Sequence, residues 1–75
     1  MYKRIRDLRE DADKTQMDVA EDFKMWVNTY RNYESGYREP PFWFMIALAR
    51  YYNVSLDYLA GLIDTPEKLN RFEKN

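Results

Sequence analysis

Glycine and proline, the two residue types that most readily end a helix, are scarce along this 75-residue chain. They occur only at Gly36, Pro40, Pro41, Gly61 and Pro66. Nearly all of the chain can therefore form helices joined by short connections. A chain of this length has a single small core, and without cysteine it has no disulfide to stabilise that core. The sequence predicts a compact all-α domain.

The helical spacing of apolar residues divides the chain into five segments. In approximate terms the predicted helices cover residues 4–14, 16–23, 27–33, 41–52 and 56–60. Each is bounded by a residue type that favours a helix end or by a short polar connection. The sequence therefore predicts five short helices.

Hydroxyl residues mark the starts of three predicted helices. Thr15 is the predicted N-cap of the second helix, Ser55 of the fifth, and Thr65 of a short C-terminal helix. We expect residues 1–64 to form the helical domain and residues 65–75 to form a short C-terminal helix or tail.

Four short motifs occur in order along the chain. They are Thr-Gln at 15–16, Tyr-Glu-Ser-Gly at 33–36, Arg-Glu-Pro at 38–40, and the segment 51–61, Tyr-Tyr-Asn-Val-Ser-Leu-Asp-Tyr-Leu-Ala-Gly. With these motifs the region 4–64 resembles the Cro/repressor helix-turn-helix family. The resemblance implies a compact five-helix Cro/repressor-type domain with a short C-terminal extension.

The resemblance also implies specific roles for individual residues. In that family an arginine of the first helix pairs with the acidic residue of the Tyr-Glu-Ser-Gly motif, which implies a structural pair between Arg9 and Glu34. DNA would lie against the start of helix two, the outer face of helix three and the loop before helix four. The residues at these positions are Gln16, Met17, Trp26, Val27, Asn28, Asn32, Tyr37, Phe42, Trp43 and Phe44.

Several of these positions carry bulky side chains where the family usually has polar ones. Trp26 replaces a small hydroxyl residue, and Tyr37 occupies a site where lysine is common. Aromatic and apolar side chains on one side of a small domain are typical of a protein interface. The leading hypothesis is therefore a protein-binding module, designed or engineered on a repressor-like scaffold. Its expected docking surface consists of Met17, Trp26, Val27, Arg31, Tyr37, Trp43, Phe44, Ala47 and Arg50.

In this hypothesis the partner is another protein or a second copy of the chain. The alternative is a sequence-specific DNA-binding transcriptional regulator of the Cro/repressor type. In this alternative the amides of Gln16, Asn28 and Asn32 would read the DNA bases, and Arg31 and Arg38 would contact phosphates. Twelve basic residues against thirteen acidic ones give a net charge of −1, which disfavours DNA without excluding it.

The absence of histidine and cysteine removes the commonest general base and the usual soft metal ligands. We therefore expect no enzyme, no metal, no cofactor and no small-molecule substrate. No apolar run approaches the roughly 18 residues of a membrane span. We expect a soluble protein, cytoplasmic if natural and recombinant if engineered.

Overall fold

A computed structural model describes residues 2–66 of the chain, and the described residues contain helices and no strand. The five helices are α1 (Lys3–Asp11), α2 (Gln16–Asp22), α3 (Val27–Ser35), α4 (Phe42–Tyr52) and α5 (Leu56–Ala60). The predicted all-α, five-helix architecture is confirmed. α1 ends earlier than predicted, because Asp13 adopts a left-handed backbone conformation (φ 57°) that a helix cannot contain.

The predicted cap at the start of α2 is present as a reciprocal pair. The backbone N–H of Asp18 donates to Oγ1 of Thr15 at 3.0 Å, and the backbone N–H of Thr15 donates to Oδ2 of Asp18 at 2.9 Å. The bond from the Thr15 backbone N–H stabilises the carboxylate, so the pKa of Asp18 lies below its usual value. Together the two bonds fix where α2 begins.

The starts of α3, α4 and α5 agree with the sequence prediction to different degrees. Ser55 caps α5, since its Oγ accepts a bond from the backbone N–H of Tyr58 at 3.0 Å. Trp26 occupies the N-cap position of α3 and makes no side-chain capping bond there. Pro41 is the N-cap residue of α4, so the helix begins at Phe42, one position after the start at Pro41 that the sequence predicts.

The core lies where α2 packs against α3, α4 against α5, and α1 against both α3 and α5. Phe44, on α4, is fully buried in it. Its ring centroid lies 5.5 Å from that of Phe23, 6.3 Å from that of Tyr30 and 5.0 Å from that of Tyr33. This aromatic group joins α4 to α2 and α3. The buried core is formed by Ile5, Val19, Ala20, Tyr30, Phe44, Met45, Leu48, Ala49 and Leu59.

The segment after α5 is attached to α1 through one arginine. Arg4 donates to the carbonyl oxygens of Tyr58, at 2.8 Å, and Ile63, and its Nη2 pairs with Asp64 at 3.2 Å. Of the predicted C-terminal helix or tail, residues 67–75 lie outside the described residues. The domain boundary at 64 stays a prediction.

The turn between α2 and α3 contains a residue in a conformation that favours glycine. Lys24 is exposed and has φ 55°, in the left-handed region where a Cβ is strained. We expect Lys24→Gly to raise the free energy of unfolding by about 0.5–1 kcal/mol, because relief of strain exceeds the added entropy of the unfolded chain. Urea denaturation measures the change.

The matched control is Asn53→Gly at the C-terminal end of α4, where φ is 57°. Asparagine tolerates this conformation better than lysine, so its replacement is expected to raise stability less. A loss of stability in Lys24→Gly, or equal gains in the two variants, would contradict the assignment of strain to Lys24.

Candidate nucleic-acid interface

The start of α2 and the outer face of α3 lie side by side across the short turn that joins them. Gln16 is the first residue of α2 and is half-buried. Asn28 and Arg31 are exposed on α3, and Asn32, one turn after Asn28, is half-buried. These four polar side chains form the candidate interface, and three of them are hydrogen-bonded to one another.

A buried ion pair supports this face from beneath. Nε of Arg9 lies 2.9 Å from Oε2 of Glu34, and Nη2 lies 3.2 Å from Oε1, which gives the two-bond geometry of a strong arginine–carboxylate pair. Arg9 also donates to the carbonyl oxygen of Lys14 at 2.8 Å. The pair that the resemblance implies thus connects α1 to α3 and to the segment before α2.

Glu34 accepts two further bonds. The hydroxyl of Tyr30 donates to its Oε2 at 2.6 Å, and Nε2 of Gln16 donates to its Oε1 at 2.9 Å. Burial by itself raises the pKa of Glu34, but the bonds from Arg9, Tyr30 and Gln16 outweigh burial and lower it. Glu34 is therefore an ionised acceptor at neutral pH, with donors from three helices.

The hydrogen bonds continue outward from Gln16 to the surface. Its Oε1 accepts from Nε of Arg31 at 3.0 Å, and Nη1 of Arg31 donates to Oδ1 of Asn28 at 3.3 Å. The sequence gives no signal for the Gln16–Arg31 contact, because the two residues are 15 positions apart and on different helices. The contact exists only once α2 packs on α3.

Three of the four aromatic residues in the predicted docking surface are exposed, and the fourth is buried. Trp26 is 83% exposed, and Tyr37 and Trp43 are also exposed, whereas Phe44 is 0% exposed and belongs to the core. Placing Phe44 at the surface was wrong, because it lies one helical turn before Leu48 on the buried face of α4. Val27 is half-buried and packs against the core.

The remaining predicted interface residues are at or near the surface. Met17 and Arg50 are exposed, and Ala47 is half-buried. Phe42, which the resemblance places in the loop before helix four, is the exposed first residue of α4. Arg38 is exposed in the loop after α3, where its backbone N–H donates to the carbonyl oxygen of Asn32 at 3.1 Å.

The overall acidic charge does not extend evenly over the surface. Lys24, Arg31 and Arg38 are exposed and form no ion pair with a carboxylate in the part of the chain that the structure describes. All three lie in α3 or in the connections at its two ends. Positive charge that could meet a phosphate is therefore present around α3 despite the net charge of −1.

Residues 2–66 contain neither a cluster of side chains suited to a metal ion nor a membrane-spanning helix. No three acidic side chains come together in a way that could hold a metal ion. None of the helices is long and apolar enough to cross a membrane.

Comparison with known proteins gives consistent matches over most of the chain. Residues 5–59 match the model of a helix-turn-helix family. The chain is 38% identical over 66 residues to the HTH-type transcriptional regulator ImmR of Bacillus subtilis (strain 168), covering 88% of this chain and 52% of ImmR. It is also 38% identical over 68 residues to the uncharacterized HTH-type transcriptional regulator YobD of the same organism, covering 89% of this chain and 61% of YobD.

These matches bear on both hypotheses drawn from the sequence. They confirm the predicted Cro/repressor-type helix-turn-helix fold. The leading hypothesis, a protein-binding module designed on that scaffold, is wrong, because natural proteins named as transcriptional regulators match nearly nine tenths of the chain. Bulky residues at a few surface positions are too weak a signal to outweigh an intact family framework.

Proposed function

We propose that this chain, which belongs to the helix-turn-helix family, binds double-stranded DNA sequence-specifically as the DNA-binding part of a transcriptional regulator. The chain spans between half and two thirds of the length of the two relatives named above. The activity of a whole transcriptional regulator is therefore assigned to this chain only as part of the proposal. The role is a non-enzymatic one, in keeping with the names of those relatives.

The observation that carries the proposal is the connected set of polar side chains from the core to the outer face of α3. Arg9 and Glu34 anchor it, Gln16 continues it, and Arg31 and Asn28 end it at the surface. A major groove admits one α-helix, and the side chains on its outer face contact the base edges. These hydrogen bonds hold α2 and α3 as one rigid unit, which suits the insertion of α3 into a groove.

The phosphates on either side of the groove require positive charge or free N–H groups. Arg38 lies in the loop directly after α3, and Lys24 lies in the turn directly before it. Both are exposed, and neither is paired with a carboxylate within the described range. We therefore assign Arg38 and Lys24 to the DNA backbone, with Asn32 left to contact a base.

A labelled duplex of random sequence tests the proposal by fluorescence anisotropy at several salt concentrations. The wild-type chain should bind at low salt, and its affinity should fall steeply as salt rises because bound counterions are released. We expect Arg38→Ala to weaken binding to all duplexes alike and to reduce the slope of log K against log salt by about 1.

The matched control is Arg50→Ala, which removes the same charge from the exposed last turn of α4. Its salt slope should equal that of the wild-type chain. Lack of binding by the wild-type chain up to about 100 µM at low salt would refute DNA binding, since working DNA-binding proteins bind non-specifically at about 10⁻⁴–10⁻⁶ M. Equal slopes for Arg38→Ala and Arg50→Ala would refute only the assignment of Arg38.

A further inference from the structure

Arg31 is an exposed side chain that is nevertheless fixed in position. Its Nε is bound to Gln16 and its Nη1 to Asn28, at 3.0 and 3.3 Å. Its Nη2 donates to no acceptor within residues 2–66. An arginine that is ordered before it meets a ligand loses less conformational freedom on binding. Arg31 therefore presents donors to the solvent from a preorganised position.

The chemistry of its neighbours fixes the orientation of the Gln16 amide. Glu34 is an ionised carboxylate that can only accept, and Arg31 is a guanidinium that can only donate. The amide nitrogen must therefore face Glu34 and the amide oxygen must face Arg31, as observed at 2.9 and 3.0 Å. Turning the amide over would place like groups against each other on both sides.

This arrangement leaves the two amides poorly suited to read adenine. An amide reads adenine through its oxygen and its nitrogen together. In Gln16 both atoms are engaged with protein groups, and in Asn28 the oxygen is engaged with Arg31. Arginine, by contrast, reads guanine by donating two bonds to O6 and N7, the commonest specific contact in the major groove.

We propose that Arg31 is a specificity-determining residue that reads a guanine, and that Gln16 and Asn28 are positioning residues that aim it. This inference rests on the proposed function and makes it more specific. It reverses the roles expected from the sequence for three residues, since there the amides of Gln16 and Asn28 read bases and Arg31 contacts a phosphate. The reversal follows from which donors and acceptors the fold leaves unpaired.

The test begins with the tightest-binding duplex selected by the wild-type chain from a pool with a randomised central region. Each G·C pair in it is then changed to A·T, and each guanine is separately changed to 7-deazaguanine, which lacks N7. Each bound chain should contact one guanine through Arg31. Changing that G·C pair to A·T should weaken wild-type binding by roughly 5- to 150-fold, and replacing that guanine with 7-deazaguanine should also weaken binding.

For Arg31→Ala the same two changes at that guanine should alter affinity by less than about twofold, because the contact is already lost. Gln16→Ala should retain Arg31 but reduce the preference for guanine, because the arginine is no longer aimed. Arg38→Ala is the matched control, and it should bind more weakly overall with the guanine preference unchanged. Thermal denaturation of each variant verifies that it is folded.

Two results would overturn the inference in distinguishable ways. If Arg31→Ala weakens every duplex by the same factor and retains the guanine preference, Arg31 contacts a phosphate, and DNA binding itself still stands. If the wild-type chain binds no duplex at low salt, the proposed function fails and the role of Arg31 fails with it.

Discussion

Replacing Glu34 with alanine is expected to lower the free energy of unfolding by about 3–5 kcal/mol, the usual cost of removing one partner of a buried ion pair. The side chain of Glu34 is 6% exposed and that of Arg9 is 12% exposed, so little water can replace the lost contacts. The substitution leaves a buried guanidinium without its carboxylate and removes the acceptor for Tyr30 and Gln16.

Urea denaturation followed by circular dichroism measures this loss. Because small domains are stable by only about 5–15 kcal/mol, Glu34→Ala can be largely unfolded, and Glu34→Gln then supplies a milder variant. The matched control is Glu10→Ala, which breaks the exposed pair between Arg6 and Glu10 on α1. An exposed pair of this kind contributes only about 0.3–0.5 kcal/mol. Similar losses at positions 34 and 10 would contradict the central role of Glu34.

The lowered pKa of Glu34 gives this prediction a pH dependence. A carboxylate whose pKa is lower in the folded state stabilises the fold above its unfolded pKa, and that contribution is lost as pH falls through the folded value. The wild-type chain should therefore lose stability as pH falls below about 4.5, the ordinary value for glutamate. In Glu34→Gln the fall should be shallower, with the remaining fall due in part to Asp18, whose pKa is also lowered.

Replacing Phe44 with alanine is the second substitution with a large expected effect, a loss of about 3–5 kcal/mol. Phe44 has no exposed surface, and the rings of Phe23, Tyr30 and Tyr33 surround it. Its removal leaves a cavity at the point where α4 meets α2 and α3. Thermal and urea denaturation both report the loss.

The neighbouring residue is the matched control. Trp43 is larger than Phe44 but is 59% exposed, and its ring centroid lies 5.7 Å from that of Phe44 in an edge-on arrangement. We expect Trp43→Ala to lower stability by no more than about 1 kcal/mol. A larger loss for Trp43→Ala than for Phe44→Ala would show that α4 is rotated from its position in this structure.

The buried network relates stability to recognition in this chain. Glu34 stabilises the fold and also fixes the orientation of Gln16, which in turn holds Arg31. A change at Glu34 that leaves the chain folded, such as Glu34→Gln, should therefore also disturb contacts at the outer face of α3. The same ion pair that holds α1 against α3 sets the geometry of the surface that we propose for DNA.

Much of the fold could be predicted from the sequence because its determinants are local. Thr15 and Ser55 cap their helices as predicted, since capping depends on residues three positions away. Gly36, with φ 85°, ends α3 because glycine adopts the left-handed conformation without strain. The spacing of apolar residues and the motifs around 33–36 and 51–61 were sufficient for the architecture.

The outer surface of α3 and the depth of individual aromatic residues were decided only by the tertiary structure. Phe44 and Trp43 are adjacent aromatic residues that project about 100° apart around α4, and the packing of α4 against its neighbours determines which of them is buried. The contact between Gln16 and Arg31 joins residues 15 positions apart and exists only because α2 packs on α3. Helix ends depend on near neighbours in the chain. Which donors and acceptors remain unpaired depends on distant residues that packing brings together, and local sequence patterns do not contain that information.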